Sequence, residues 1–503
     1  MMKRFLYTSI AFCLASQPAL AAATFDVAIN NGRVIDPETR LDAIRSIGIR
    51  DGRIVTISRR PLAAKRQIDA SGLVVAPGFI DVHSHAMTIP SAWMQAHDGV
   101  TTALELEIGA WPVGASYERM AAAGWPINYG FSVSWFGARQ SLLGSRADSI
   151  VPEAESRRVV DLVAEGLAEG GIGVGFPLGH HPDTNRSEYL EISRIAARWD
   201  APTFTHLRTK NTHEPRGVIE GATELIGVAA ATGARMHLCH VNSSALRETP
   251  RILAMIAGAQ ARGLHVTTEA YPWGAGSTRI STPFLDPDNL PLLDLEPGDI
   301  AIVATGERVR DRAELERLRK AAPSTLVAIH YLDERDETQR GFIEQAIRFP
   351  GSLIVSDAIP YIVGNEPLTA PRWPLPDEAM AHPRIAASFT KVIADYVLDR
   401  RTLPLGDMIE RATLLPARLL EPSVPDMRRK GRIQPGADAD IVAFDLASLA
   451  VHADFDHPAR PSTGMKYVLV AGSLLIDGGE IRRDRRDGRP VRGRTKSADK
   501  SPK

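Results

Sequence analysis

Short apolar runs alternate with amphipathic stretches along most of the 503-residue chain. The strand-like runs in its centre are GFIDVHSH (78–85), TTALELE (101–107), INYGFSV (127–133) and GIGVGF (171–176). Four more follow: PTFTHLR (202–208), ARMHLCHV (234–241), LHVTTEAY (264–271) and SLIVSD (352–357). Helical runs such as SRRVVDLVAEGLAE and TPRILAMIAGAQARG separate several of them, and RIAASFTKVIADYVLDR adds a helix after the last. Eight strand–helix units predict an α/β fold, a (β/α)8 TIM barrel with its reactive groups at the C-terminal strand ends. A doubly wound open sheet is the alternative, and no glycine-rich dinucleotide fingerprint supports it.

The two chain ends read differently. FDVAINNGRVIDPET and RSIGIRDGRIVTISR near the start are short strands with Asn-Gly and Asp-Gly turns, and GRIQPGADADIVAFDLA and MKYVLVAGSLLIDGGE near the end repeat that grammar. Neither segment is large enough for its own core. The expected organisation is one β-sandwich from residues 25–75 and 430–483, flanking a barrel over 76–429.

Charge and composition then narrow the classes. The formal net charge is −1, so no bulk electrostatic argument favours a nucleic-acid partner. Residues 484–503 are basic without an apolar pattern and are expected to be a solvated tail. The opening MMKR, the apolar FLYTSIAFCLAS and the small-residue ALA at 19–21 have the form of a secretory signal peptide over residues 1–21, too short for a stable membrane span. The expected destination is the periplasm or the medium. Of the two cysteines, Cys13 falls in that leader, which leaves Cys239 unable to form an internal disulfide. The oligomeric state, homo-oligomer included, stays open.

Candidate chemistry collects at the strand ends. In DVHSH, His83 and His85 share a face because side chains alternate along a strand, which makes half a site for a metal such as zinc. Asp81 shares that face one pleat deeper, as a further ligand or an orienting group. His206 and His240 close two later strands, and Asp357 closes the last, where it is placed for proton transfer. Hydrogen-bonded core histidines and a plain helix cap are the bland readings of single members. Together the set points to one or two divalent ions, zinc foremost.

VVAPGFIDVHSH, GVTT, THLR, the histidine of LCH, EAYPWGAGST, SDA, AHPRIAASF, ATLLPARL and GRIQPGADADIVAFD occur in the order found in metal-dependent amidohydrolases. The chain resembles that superfamily, and within it the N-acyl-D-amino-acid deacylases (D-aminoacylases). The resemblance implies His83 and His85 as ligands of one metal, His206 and His240 as ligands of a second, and Asp357 as the catalytic base. It also implies that Tyr271 and Arg384 hold a substrate carboxylate, as a guanidinium fork does well. Arg208, beside His206, is expected to brace the site.

Two departures refine this expectation. Ile108 stands where the deacylases carry a metal-holding cysteine, so Glu107 is the natural bridge between metals, with Glu105 deeper as a supporting acceptor. Asn242 stands where they carry a lysine two residues after the last histidine. The expected activity is metal-dependent amide hydrolysis, deacylating a small N-acyl amino acid with a free carboxylate. Alternatives within the superfamily are a dipeptidase or a cyclic-amide hydrolase, and outside it a non-catalytic exported metal- or ligand-binding protein. His180 and His181, and the residues Trp111, Trp135 and Trp273, are further candidates for lining the pocket.

Overall fold

The structure is a computed structural model that describes residues 25–495. The signal-peptide expectation lies outside the described residues. Eight parallel strands form the central sheet: β1 (Phe79–Asp81), β2 (Val100–Ala110), β3 (Asn128–Ser134), β4 (Val174–Pro177), β5 (Pro202–His206), β6 (Arg235–Leu238), β7 (Val266–Ala270) and β8 (Leu353–Ile354). Each pairs with its sequence neighbour, so the spatial order follows the chain. Ser84 and Ala358 form a parallel bridge between the first and last strand ends, with His85 N–H donating to Ala358 O at 2.7 Å. This contact brings β1 and β8 together and gives a TIM barrel.

Period-two alternation sets what faces where. Ile80, Val82, Leu104 and Leu106 join one apolar cluster, which turns Asp81, His83, Glu105 and Glu107 to the other side. Helices such as Glu153–Ala168 and Thr249–Ala261 cover the barrel, burying Val159, Val163, Ile252 and Ile256 against it. The helix expected over 384–400 is broken. A turn at Pro383–Ile385 precedes a short α segment, Phe389–Val392, and a wider π turn, Ile393–Asp399.

A nine-stranded sheet unites the chain ends. Strand Ile441–Phe444 lies antiparallel to Val74–Pro77, and Val74 and Val75 pair in turn with Phe25–Asp36. Val34, Ile47, Ile49, Val75, Ile441 and Leu469 fill its core, and it stands as a β-sandwich beside the barrel. Glu38 fastens the two ends, accepting from Arg432 Nε at 2.7 Å and Gln434 Nε2 at 2.9 Å.

Two features depart from the sequence expectation. Between β7 and β8 an antiparallel sheet of Ala275–Arg279, Leu326–His330 and Ile300–Ile302 rises with its own apolar cluster. The basic segment from 484 is also no free tail as far as residue 495. Val491 is fully buried, its N–H donates to Tyr129 O at 2.7 Å, and Arg492 lies over the Tyr117 ring. Tyr117, Trp125 and Tyr129 supply the apolar surface that this segment covers. Residues 496–503 lie outside the described residues.

Candidate metal centre and active site

The expected strand-end residues converge. His83 and His85 follow β1, Glu107 lies in β2, His206 ends β5, and His240 and Asp357 follow β6 and β8. Glu107 Oε2 lies 2.6 Å from His83 Nε2 and 3.4 Å from His85 Nε2. Its other oxygen, Oε1, lies 2.9 Å from His206 Nδ1 and 3.6 Å from His240 Nε2. A single carboxylate therefore faces two pairs of imidazoles, one oxygen to each. Asp357 Oδ1 completes the first group at 3.5 Å from His83 Nε2 and 3.4 Å from His85 Nε2.

The donor set fits divalent cations. His83 offers Nδ1 to Glu269 Oε1, and His85 Nδ1 lies 2.9 Å from both Glu105 oxygens. An imidazole that donates from Nδ1 presents a lone pair at Nε2. The two Nε2 atoms nevertheless stand only 3.1 Å apart, so in that tautomer two lone pairs face each other. A cation between them and the Glu107 and Asp357 oxygens removes that repulsion. Nitrogen and carboxylate ligands of this kind suit zinc or a similar ion.

Charge bookkeeping agrees. Burial would push Glu107 toward its neutral form, but His83, His206 and His240 outweigh it and hold the carboxyl well below the usual range. Asp357 is likewise held down against burial, with Arg384 the largest contributor. Burial lowers His206 to about 4, which leaves its imidazole neutral at physiological pH and free to ligate. His83 and His85 are driven the other way: burial is outweighed by Glu269, Glu107 and Asp357 around the first and by Glu105 and Asp357 around the second. The cage calls for positive charge.

The backbone is bent to aim these groups. His240 has φ +33° and Asp357 φ +51°, a region costing about 1–3 kcal/mol for a non-glycine residue. The bends are pinned: His240 N–H donates to Glu269 Oε1 at 3.2 Å, and Asp357 N–H donates to His83 O at 2.8 Å.

Glu269, on β7, was not among the expected site residues. It is fully buried and shared between His83 Nδ1 and His237 Nε2, the latter at 2.9 Å. The cost of a buried carboxylate in VTTEA was its available signal. Glu269→Gln is expected to weaken divalent-metal affinity about 10–100-fold without unfolding the barrel, as removal of a ligand-orienting carboxylate does. Competition with a chromophoric chelator measures this, and unchanged affinity would remove Glu269 from the account.

The remaining candidates separate. Glu105 supports His85 and accepts from Ile108 N–H at 3.3 Å. Asp81 stays below the rings and ties β1 to β8, accepting from Ser356 N–H at 3.1 Å and from Ser356 Oγ. Arg208 turns from the centre, bracing the loop after β4 through Pro182 O and pairing with Glu224 on the helix Val218–Thr232, both at 2.9 Å. Cys239 is buried beside His83 and Glu269, and desolvation pushes its thiol well above the ordinary value. It stays protonated.

A cavity of about 860 Å³ opens over the centre, reaching His85, Glu107, His206, His240, Tyr271 and Asp357. Tyr271 Oη is buried without a hydrogen-bond partner among the described residues. Arg384, expected to hold a substrate carboxylate, is placed against Asp357. Its guanidinium is buried behind Asp357, with Nη1 2.7 Å from Asp357 Oδ2, and it is absent from the cavity wall. Its charge holds Asp357 ionised, and its Nε and Nη2 are buried without a hydrogen-bond partner among the described residues. His180 and His181 do line the cavity, whereas Trp111, Trp135 and Trp273 do not; Phe136 and Phe284 supply the aromatic wall. Trp135 is held elsewhere, its Nε1 donating to Glu188 at 3.0 Å. Asn242 is tied to the end of β7, donating to Tyr271 O at 3.1 Å and accepting from Tyr271 N–H at 3.3 Å.

The profile described as "Amidohydrolase family" matches residues 138–476. The chain is 27% identical over 501 residues to an N-acyl-D-glutamate deacylase of Alcaligenes xylosoxydans xylosoxydans, covering 90% of this chain and 93% of that protein. It is 26% identical to a D-aminoacylase of the same organism, covering 89% and 94%. The crystal structure of N-acyl-D-glutamate deacylase from Bordetella bronchiseptica, complexed with zinc and a phosphonate inhibitor, has the same fold. Its TM-score is 0.78 at 24% identity, over 93% of this chain and all of that one.

Proposed function

The chain belongs to the amidohydrolase family, and from that premise we propose that it deacylates N-acyl amino acids at a metal centre held by His83, His85, Glu107, His206 and His240. The carrying observation is the Glu107 carboxylate, whose two oxygens face two imidazole pairs beside Asp357 at the floor of the cavity. The relatives named as N-acyl-D-glutamate deacylase and D-aminoacylase support this substrate class. Zinc is the proposed ion, on the strength of the nitrogen and carboxylate donors. When bound, a divalent ion supplies Lewis acidity, which polarises an amide carbonyl and makes water more acidic.

The protein side of the chemistry follows from Asp357. Arg384 engages Oδ2, so Oδ1 is left on the cavity side among the imidazoles. Held ionised by Arg384, Oδ1 can take a proton from the attacking water and return it to the departing amine. Glu105 and Glu269 fix the two imidazoles of the first group, which limits reorganisation during the reaction. Tyr271 Oη is an unused donor on the wall, placed for a carboxylate or a developing oxyanion.

The test is hydrolysis of a D and L panel of N-acetyl amino acids beside dipeptides and hydantoins, using zinc-loaded protein. Release of free amino acid from the N-acetyl compounds, with the hydantoins untouched, is the expected outcome. Ring opening of a hydantoin or cleavage of dipeptides with no deacylation would replace this reading by one of its relatives.

A further inference from the structure

Lys210 is a buried cation in the cavity wall that the chemistry above does not use. It is 4% exposed and shares the wall with His240, Tyr271 and Asp357. Its Nζ donates to Tyr331 Oη at 3.1 Å and sits 4.3 Å and 4.5 Å from the ring centres of Phe284 and Tyr331. An ammonium has three N–H donors, and one hydroxyl acceptor with two aromatic faces leaves donors unfilled. Among the described residues no carboxylate lies within ion-pair reach of it.

The other cation near the centre, Arg384, does not line the cavity. Arg384 is paired with Asp357 and lies behind it. Asn242, uncharged, spends its amide on the backbone of Tyr271 and Trp273. Around Lys210 the wall also carries the unpartnered Tyr271 hydroxyl. Gly276 keeps this corner open: a Cβ there would meet Tyr331 Cε2 at 2.9 Å and Tyr271 Oη at 3.2 Å.

We propose that Lys210 receives the substrate's free carboxylate, with the Tyr271 hydroxyl as a second donor, and so sets the requirement for an acid next to the scissile amide. This rests on the acyl-amino-acid reading. Desolvation draws the Lys210 ammonium down to about 7, against the pull of Asp357 and Glu107, so a ligand carboxylate would restore what burial takes away. An ammonium between aromatic faces is also favourably placed electrostatically, which holds it at the wall in the free enzyme.

The test compares kcat and KM of zinc-loaded wild type, Lys210→Met and Lys210→Arg on N-acetylmethionine, both enantiomers, and on its carboxamide. Lys210→Met is expected to raise KM for the acid about 10–100-fold, the scale of a charged hydrogen bond. The carboxamide should change little, and Lys210→Arg should recover part of the loss. An equal loss on acid and carboxamide would make Lys210 merely structural. If wild type prefers the acid and Lys210→Met keeps that preference, this proposal alone falls. If wild type shows no preference for the acid, the acyl-amino-acid reading falls with it. Should Lys210→Met fail to fold, Tyr331→Phe is the second variant. A KM increase confined to the acid supports the assignment, and no selective change overturns it.

Discussion

Glu107→Ala is expected to lose at least one bound metal ion per chain and nearly all amide hydrolysis. Its carboxylate faces four imidazoles, with contacts of 2.6 and 2.9 Å to His83 and His206, so both halves of the centre lose a ligand at once. Removing an orienting carboxylate costs about 10–100-fold in affinity, and removing a shared ligand should exceed that. Glu107→Gln keeps the volume but not the charge, and it should fail similarly, because four neutral imidazoles and the single Asp357 carboxylate do not offset two cations. Metal analysis after gel filtration, paired with turnover of an N-acetyl amino acid, reads both effects. Full metal content and full rate in Glu107→Ala would end the bridging proposal.

Asp357→Asn is expected to lower kcat by about 10²–10⁴-fold at saturating zinc, the usual contribution of a positioned proton carrier. The amide is nearly isosteric and can still accept from Arg384, so the fold and the φ +51° bend should persist. What disappears is a basic oxygen at the position of Oδ1. Circular dichroism and metal content should match wild type, which separates lost proton transfer from lost structure. A variant that retains wild-type kcat would assign the proton transfer elsewhere.

Much of this was legible in the chain. His83, His85, His206, His240 and Asp357 each stand at the end of an apolar run, where a barrel gathers its reactive groups; periodicity puts His83 and His85 on one face, and backbone bends aim His240 and Asp357. Glu107 was legible because two acids in the buried run LELE need cations nearby. The supporting layer was harder to see. Glu269 sits in a threonine-rich run, VTTEA, where a single acid looks like ordinary alternation, and its value comes from His83 and His237 on other strands. Lys210 sits in the polar stretch TKN, and it is buried only because Phe284 and Tyr331 arrive from distant parts of the chain.

The same limit explains the fold's departures. The antiparallel sheet around 275–330 interrupts the strand–helix rhythm with short, mixed segments that have little period of their own. Its cluster of Leu285, Leu290, Leu293, Ile300 and Leu315 forms only after the chain has folded back on itself. Near the other end, one apolar residue, Val491, sits in a basic run. Nothing local announces that Tyr117 and Tyr129 will cover it. Arg384 shows a third case: a motif gives a residue's identity, while its direction depends on Asp357, which takes its charge.

The central claim is that the two oxygens of Glu107 serve two metal positions. Anomalous diffraction from zinc-loaded crystals, recorded on both sides of the zinc edge, tests it most directly. Density is expected on each side of that carboxylate, one peak against His83 and His85 and the other against His206 and His240. Absence of zinc at Glu107, with the ion held instead by Cys239 or by surface residues, would contradict it.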